Sequence, residues 1–241
     1  MCFTIEVHLT RKAIENRFSV NTSSLQDFDF NYFYRAFDNP LIPVVTQEES
    51  DRVRLMEWGL IPFWVGDREK ANKIRGGTYN ARSESLSEKP SFREPFQRRR
   101  CWIIAHGFFE WQQREQGKIP WYIRLKNDEP FALAGLYDRW RDPLEGTLTE
   151  TFTIITTRAN PLLEKIHNTR KRMPVILDPE RESDWIRGDL SLRQSMQLLI
   201  PFPEDQLHAY PVSKTIIRPE TRPDDPRIIE PVEHPSPGNL F

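Results

Sequence analysis

The chain has 241 residues, 38% of them hydrophobic, with 34 basic against 35 acidic side chains. It is long enough to bury a core and too near neutrality to be a generally basic nucleic-acid coat or a charged disordered polymer. Two cysteines, Cys2 and Cys101, give no disulfide framework. No apolar run approaches the roughly 20 residues that span a bilayer, and no signal-peptide pattern opens the chain, so a cytoplasmic protein without a membrane partner is expected.

In chain order, the opening MCFT places Cys2 directly behind Met1. Thr10 is positioned to cap a helix over RKAIENRF (11–18). VRLMEW (53–58), RCWIIAHGFFEW (100–111), PWYIRL (120–125), PFALAGLYDRW (130–140) and TFTIITT (151–157) have the β-branched and aromatic content of strands. NDE (127–129) reads as a hairpin connection between two of them. Asn160-Pro161 starts a helix over LLEKIH, Pro179 opens another over ERESDWIRG, and SLRQSMQLLI shows apolar residues at helical spacing. The last 24 residues hold six prolines, and this tail (218–241) is expected to run extended over the surface or to be disordered. The fold class that follows is α+β, a single domain over residues 1–217 with a mostly antiparallel, barrel-like sheet system and short peripheral helices.

Four stretches put polar or aromatic groups where regular structure does not ask for them. WGLIPFW (58–64) reads either as core tryptophans around a turn or as loop aromatics, Trp58 and Trp64, able to stack on unpaired bases. In TYNARSES (78–85), after a glycine pair, Asn80 can donate and accept while Arg82 offers a planar fork suited to phosphate; the same stretch can equally be a strand end with a helix cap. Glu110, between Phe109 and Trp111, is either a sheet-edge carboxylate in water or a buried one whose raised pKa fits it for acid–base work. His167, at a helix end, either complements the helix C-terminus or carries protons. The cationic runs RRR (98–100) and RKR (170–172) read as solvated faces. No CxxC or HExxH occurs, and neither a metal nor a cofactor is expected.

Trimming Met1 would leave a free α-amine beside the Cys2 thiol. Such a 1,2-aminothiol condenses with an aldehyde to an imine and then closes a five-membered thiazolidine. The α-amine, with a pKa near ~7.7–8.0, is partly neutral at physiological pH.

Taken in order, Cys2, NAR with a following Ser-Glu, GFFEW and H…RMPVIL resemble the SRAP family (SOS response-associated peptidase), the abasic-site processing proteins. WGLIPFW, AGLYDRW, FTIITTRAN and YPVSK add to the resemblance, which covers residues 1 to about 217. It implies a monomeric DNA-damage (SOS) response protein, at the nucleoid when bound, whose partner is single-stranded DNA containing abasic sites. It implies covalent attachment of Cys2 to the open-chain C1′ aldehyde, with an accompanying lyase activity. By motif, Asn80 would hold the amine or sugar, Glu110 would move protons, and His167 would assist opening of the deoxyribose ring. Arg82, Thr156 and Arg172 would contact phosphates, and Trp58 or Trp64 a flanking base. Two departures stand out: Phe3 and Thr4 replace the family's usual Gly-Arg, and no clean Asn-x-x-Pro segment occurs near residue 36. A cysteine (auto)peptidase acting on Met1 and a non-covalent single-strand binder are the competing readings.

Overall fold

A computed structural model describes residues 2–218 and 220–233. Twelve strands form: β1 (Thr4–Glu6), β2 (Tyr34–Arg35), β3 (Leu41–Thr46), β4 (Val53–Trp58), β5 (Asn80–Arg82), β6 (Arg100–Ala105), β7 (Gly107–Arg114), β8 (Gly117–Leu125), β9 (Phe131–Arg141), β10 (Leu148–Arg158), β11 (Arg172–Pro174) and β12 (Leu207–Pro211). The helices are α1 (Arg11–Phe18), α2 (Arg68–Arg75), α3 (Pro90–Arg98), α4 (Pro161–Ile166), α5 (Glu182–Ile186) and α6 (Leu192–Met196).

Strands β10-β4-β3-β6-β9 close into a five-membered ring, because β9 pairs with β10 as well as with β6. Closure removes the sheet edges and encloses a core that includes Val44, Met56, Ile103, Leu133, Phe152 and Cys101. A second, open sheet has the order β12-β8-β7-β1-β2. The C-terminal part of β10 runs past the ring and takes on β5 and β11, through Ile154↔Asn80 and Thr156↔Pro174. The architecture is the α+β, barrel-centred single domain that the sequence implies.

Local chemistry explains several elements. Thr10 accepts from the Ala13 N–H at the start of α1, and Asn160 accepts from the Leu163 N–H at the start of α4. Ser191 and Gln194 form a reciprocal capping box on α6. β7 and β8 join through a two-residue turn ending at Gly117, whose φ of 104° suits glycine.

Other expectations are corrected. NDE (127–129) is not a hairpin: β8 pairs with β7 and β12, whereas β9 pairs with β6 and β10, so this segment carries the chain between the two sheets. α5 begins at Glu182, three residues after Pro179. The two cationic runs are solvated only in part: Arg98, Arg170 and Lys171 are exposed, whereas the others are not. Arg100 is buried and donates to the carbonyls of Trp185, Arg187 and Phe96, Arg99 pairs with Asp138 at 3.2 Å, and Arg172 is buried. α2 and α3 were not apparent in the sequence. In the tail, Ile228 is buried with Phe33, Phe109 and Tyr122, and Val212 bridges to Pro231; the expectation for residues 234–241 lies outside the described residues.

The first strand is tied on both edges. β1 pairs with β7 (Ile5↔Phe108, Glu6↔Gly107) and with β2 (Thr4↔Arg35, Ile5↔Tyr34). The buried Glu6 carboxylate accepts from the Tyr122 hydroxyl and lies 3.3 Å from His106 Nδ1. Burial works against charge on His106, but its hydrogen bond to Glu6 and that residue's charge outweigh burial and hold its pKa above the ordinary value. Gly107 makes the arrangement possible, since a Cβ there would sit 2.3 Å from the Tyr122 ring. Gly107→Ala is therefore expected to push Tyr122 off Glu6 and to lower stability by roughly 1–3 kcal/mol. Urea titration should show a reduced midpoint with an unchanged slope, and a midpoint equal to the wild type's would refute the anchor.

Candidate active site at the seam of the two sheets

The structure brings Cys2, Asn80, Glu110 and His167 together where the two sheets meet. Cys2 precedes β1 and Glu110 lies in β7, both in the open sheet; Asn80 heads β5, and His167 follows α4 beside β11, both on the β10 extension. Two contacts close the seam. Asn80 Nδ2 donates to the Cys2 carbonyl at 2.8 Å, and Glu110 Oε1 lies 3.9 Å from His167 Nδ1.

The side chains are buried, and burial sets their chemistry. Cys2 is fully sealed, and its Sγ–H points weakly at the Thr4 carbonyl 3.7 Å away. Desolvation, followed by the negative charge of Glu110, pushes the Cys2 thiol far above its ordinary pKa, so the resting sulfur is a protonated thiol. Glu110 is 2% exposed, and burial raises its carboxyl pKa although the positive charge of His167 opposes the rise. Burial thus favours the neutral carboxyl, the form from which a group can give up a proton and take it back. His167 Nδ1 lies 2.9 Å from the Arg172 carbonyl, an acceptor that requires the proton on Nδ1 and fixes the ring plane. Asn80 Oδ1 is buried and accepts no hydrogen bond among the described residues. A buried acceptor of this kind calls for a donor, as an amine or a sugar hydroxyl would supply.

The remaining expected residues are dispersed. Arg82 is exposed and lines a groove of about 890 Å³ together with Asn80, Lys73 and Lys89. Arg172 is held by Glu84 through two contacts of 2.6 and 3.0 Å, and it donates to the Thr156 carbonyl at 2.6 Å. Its charge is thus already paired. Thr156 is fully buried behind it, with its hydroxyl directed to the Ala81 carbonyl, so no phosphate reaches Thr156 in this structure. Trp58 is likewise removed from base stacking: its indole is enclosed against Phe152 and donates to the Tyr79 carbonyl at 2.9 Å. Trp64 remains exposed.

Several contributors were missed. Glu84, within the quoted Ser-Glu, was legible as a residue but not as the partner of Arg172. Phe3, which replaces the family's glycine, stacks on Phe37 with centroids 5.0 Å apart and an interplanar angle of 26°. Nothing in the local pattern marks Phe37. Among the described residues no group of three metal-ligating side chains is found, and no helix is long and apolar enough to cross a membrane.

A fold of a closed ring with an appended sheet, and a cysteine, asparagine, glutamate and histidine gathered at their seam, define the class to which the comparisons point. The family described as SOS response associated peptidase (SRAP) matches residues 1–219, and the chain belongs to it. The abasic site processing protein YoqW of Bacillus subtilis (strain 168) is 41% identical over 192 residues, which make up 79% of this chain and 81% of that protein. The abasic site processing protein HMCES of Gallus gallus is 32% identical over 208 residues, 77% of this chain and 60% of its own. An X-ray crystal structure of a protein from Bacteroides thetaiotaomicron has a TM-score of 0.92 at 38% identity, covering 96% of this chain and all of that one.

The burial of Glu110 has a consequence for stability. In the unfolded chain its carboxyl ionises near ~4.3, below its folded value. The folded state therefore loses stability as pH rises between the two values, and the loss is constant above them. Glu110→Gln should melt higher than the wild type near neutrality, by about 2–4 °C for each kcal/mol relieved, and the two curves should converge at about pH 4. A variant melting at or below the wild type at neutral pH would contradict the burial cost.

Proposed function

We propose that the chain captures abasic sites in single-stranded DNA covalently through a Met1-trimmed Cys2. Its amine attacks the C1′ aldehyde, and loss of water gives an imine. The thiol sulfur then adds to the imine carbon while its proton passes to nitrogen, closing the thiazolidine, with one water released overall. The observation that carries this reading is the sealed Cys2 beside Glu110, His167 and the unsatisfied Asn80 carbonyl.

Each side chain has a part. Asn80 holds the Cys2 backbone with its amide N–H, and its Oδ1 receives the amine or a sugar hydroxyl. Glu110 takes a proton from the ammonium or the thiol and returns it to the departing hydroxyl. His167, oriented by the Arg172 carbonyl, assists opening of the deoxyribose ring and, in the reverse sense, release. Arg82 contacts a neighbouring phosphate, and Trp64 is the aromatic left free to stack on a base. An imine at C1′ acidifies the C2′ proton, so β-elimination of the 3′ phosphate competes with thiol closure; prompt closure protects the strand. The names of the relatives YoqW and HMCES agree with abasic-site processing.

A cysteine peptidase needs a thiolate, commonly activated by a histidine. Burial and Glu110 drive the Cys2 thiol the opposite way, and its hydrogen bond goes to a backbone carbonyl. These features favour a thiol that reacts late, after an imine has formed beside it.

Met1-trimmed protein mixed with a single-stranded oligonucleotide carrying one abasic site should give an adduct stable on a denaturing gel. Its intact mass should equal the sum of the two components less one water. Cys2→Ala and Met1-retained protein should give no thiazolidine, and Glu110→Gln should slow capture by about 10²–10⁴-fold. Salt-reversible binding without any adduct would overturn the covalent reading in favour of simple single-strand binding. An adduct that survives with Met1 in place would overturn the role of the amine.

A further inference from the structure

A second pocket adjoins the site through Glu110 and His167, and Asn80 is not among the residues that line it. It has a volume of about 300 Å³ and is lined by Phe3, Glu110 and His167 together with Lys118, Thr169 and Arg170. Two of the proposed proton-handling groups thus open onto it, and the residue directly after Cys2 forms part of its wall. The groove containing Arg82, Lys73 and Lys89 lies on the Asn80 side. Since Asn80 holds the Cys2 carbonyl, cationic recesses adjoin Cys2 through two different neighbours.

The cations of the second pocket are brought there by defined contacts. The last turn of α4 and the segment after it are fastened to β7: Gln112 Nε2 donates to the Lys165 carbonyl at 2.9 Å, the Gln113 N–H donates to Asn168 Oδ1 at 3.0 Å, and Asn168 Nδ2 donates to the Gln113 carbonyl at 2.9 Å. Lys118 stands directly across the β7–β8 hairpin from Gln113. The reciprocal Asn168 clamp therefore carries Thr169 and Arg170 to the strand pair that bears Lys118. In the same loop Lys171 has a positive φ of 50° and lies 3.6 Å from Glu164. Lys118 and Arg170 form no salt bridge among the described residues, and both side chains are exposed. A pair of unneutralised cations with a hydroxyl at the mouth of a pocket suits a phosphodiester, and no local carboxylate other than Glu110 lines it.

We propose that this pocket binds the backbone phosphate on one flank of the abasic nucleotide, through Lys118 and Arg170, while Arg82 and its groove hold the other flank. The inference rests on the reading of Cys2 as an abasic-site trap. The strand would then cross Cys2 from one recess to the other, and the sugar would be presented to Glu110 and His167 by tension between two phosphate grips. Holding both flanks fixes the C1′ carbon in place, which a single grip leaves free to swing.

The test uses Met1-trimmed protein and three oligonucleotides, with the abasic site central, next to the 5′ end or next to the 3′ end. Capture rates and fluorescence-anisotropy affinities are measured for the wild type, for the Lys118→Glu/Arg170→Glu pair and for Arg82→Glu, at two salt concentrations. A Lys118→Gln/Arg170→Gln pair, checked by its melting curve, guards against misfolding from charge reversal. On the central substrate the Lys118/Arg170 pair should be slowed on the order of tenfold, with the salt slope reduced by about 0.7 for each phosphate no longer gripped. On the terminal substrate lacking that flank it should match the wild type. Arg82→Glu should show the opposite flank dependence. Equal rates and salt slopes for the pair and the wild type, or dependence of both variants on the same flank, would overturn the proposal. Absence of a wild-type adduct on all three substrates would refute the trap itself, and the anisotropy comparison would then still decide which flank each variant reads.

Discussion

Chain termini fray unless something holds them, and in this fold the first residues must be immobile. The whole site depends on that restraint. Only three residues form β1, yet both of its edges are paired, and a buried Glu6 shared by Tyr122 and His106 anchors its inner end. Cys2 then lies immediately outside the strand, where the Asn80 side chain takes its carbonyl. A backbone fixed at two points within five residues leaves the cysteine little freedom. Gly107 belongs to the same device, because only a missing Cβ lets Tyr122 lie flat on the strand and reach Glu6.

The seam also governs electrostatics. A carboxyl and a thiol are kept out of water near one another: burial raises both, and the charge of Glu110 adds to the rise at Cys2. Such a pair is poor at holding charge and well suited to passing a proton in the course of a reaction. The nearby arginines divide according to their partners. Arg172 is consumed by Glu84 and Thr156 and serves as scaffold for the carbonyl that orients His167. Arg82, one strand away and exposed, retains a guanidinium available to a ligand.

Much of the fold was legible because local chemistry determined it. VRLMEW is β4 to the residue, and the Thr10 and Asn160 caps open their helices where the sequence placed them. What could not be read was partner choice. NDE has sound turn chemistry and strands on both sides, but which strand each one pairs with is settled by ring closure far away in sequence. α2 was hidden by its charge, with a single buried residue, Ala71, and α3 carries Pro95 in its interior, which argues against a helix on local grounds. The site shows the same division. Cys2, Asn80, Glu110 and His167 could be singled out because polar groups in apolar or terminal settings are conspicuous. Trp58 and Trp64 look alike in WGLIPFW, and only the tertiary packing separates the enclosed ring from the exposed one. Asn168 and Lys118 carried no signal, since their roles arise from a loop meeting a hairpin.

The sealing of Cys2 bears on how such a nucleophile lasts. Peroxides and soft electrophiles attack thiolates that are exposed, and the rate falls with both accessibility and the thiolate fraction. A sulfur with no solvent contact and an elevated pKa offers neither. Burial of this kind keeps a thiol reduced through long idle periods. Under the proposed covalent capture, slower reaction once a target arrives would be the cost, one that suits a reagent each molecule uses once.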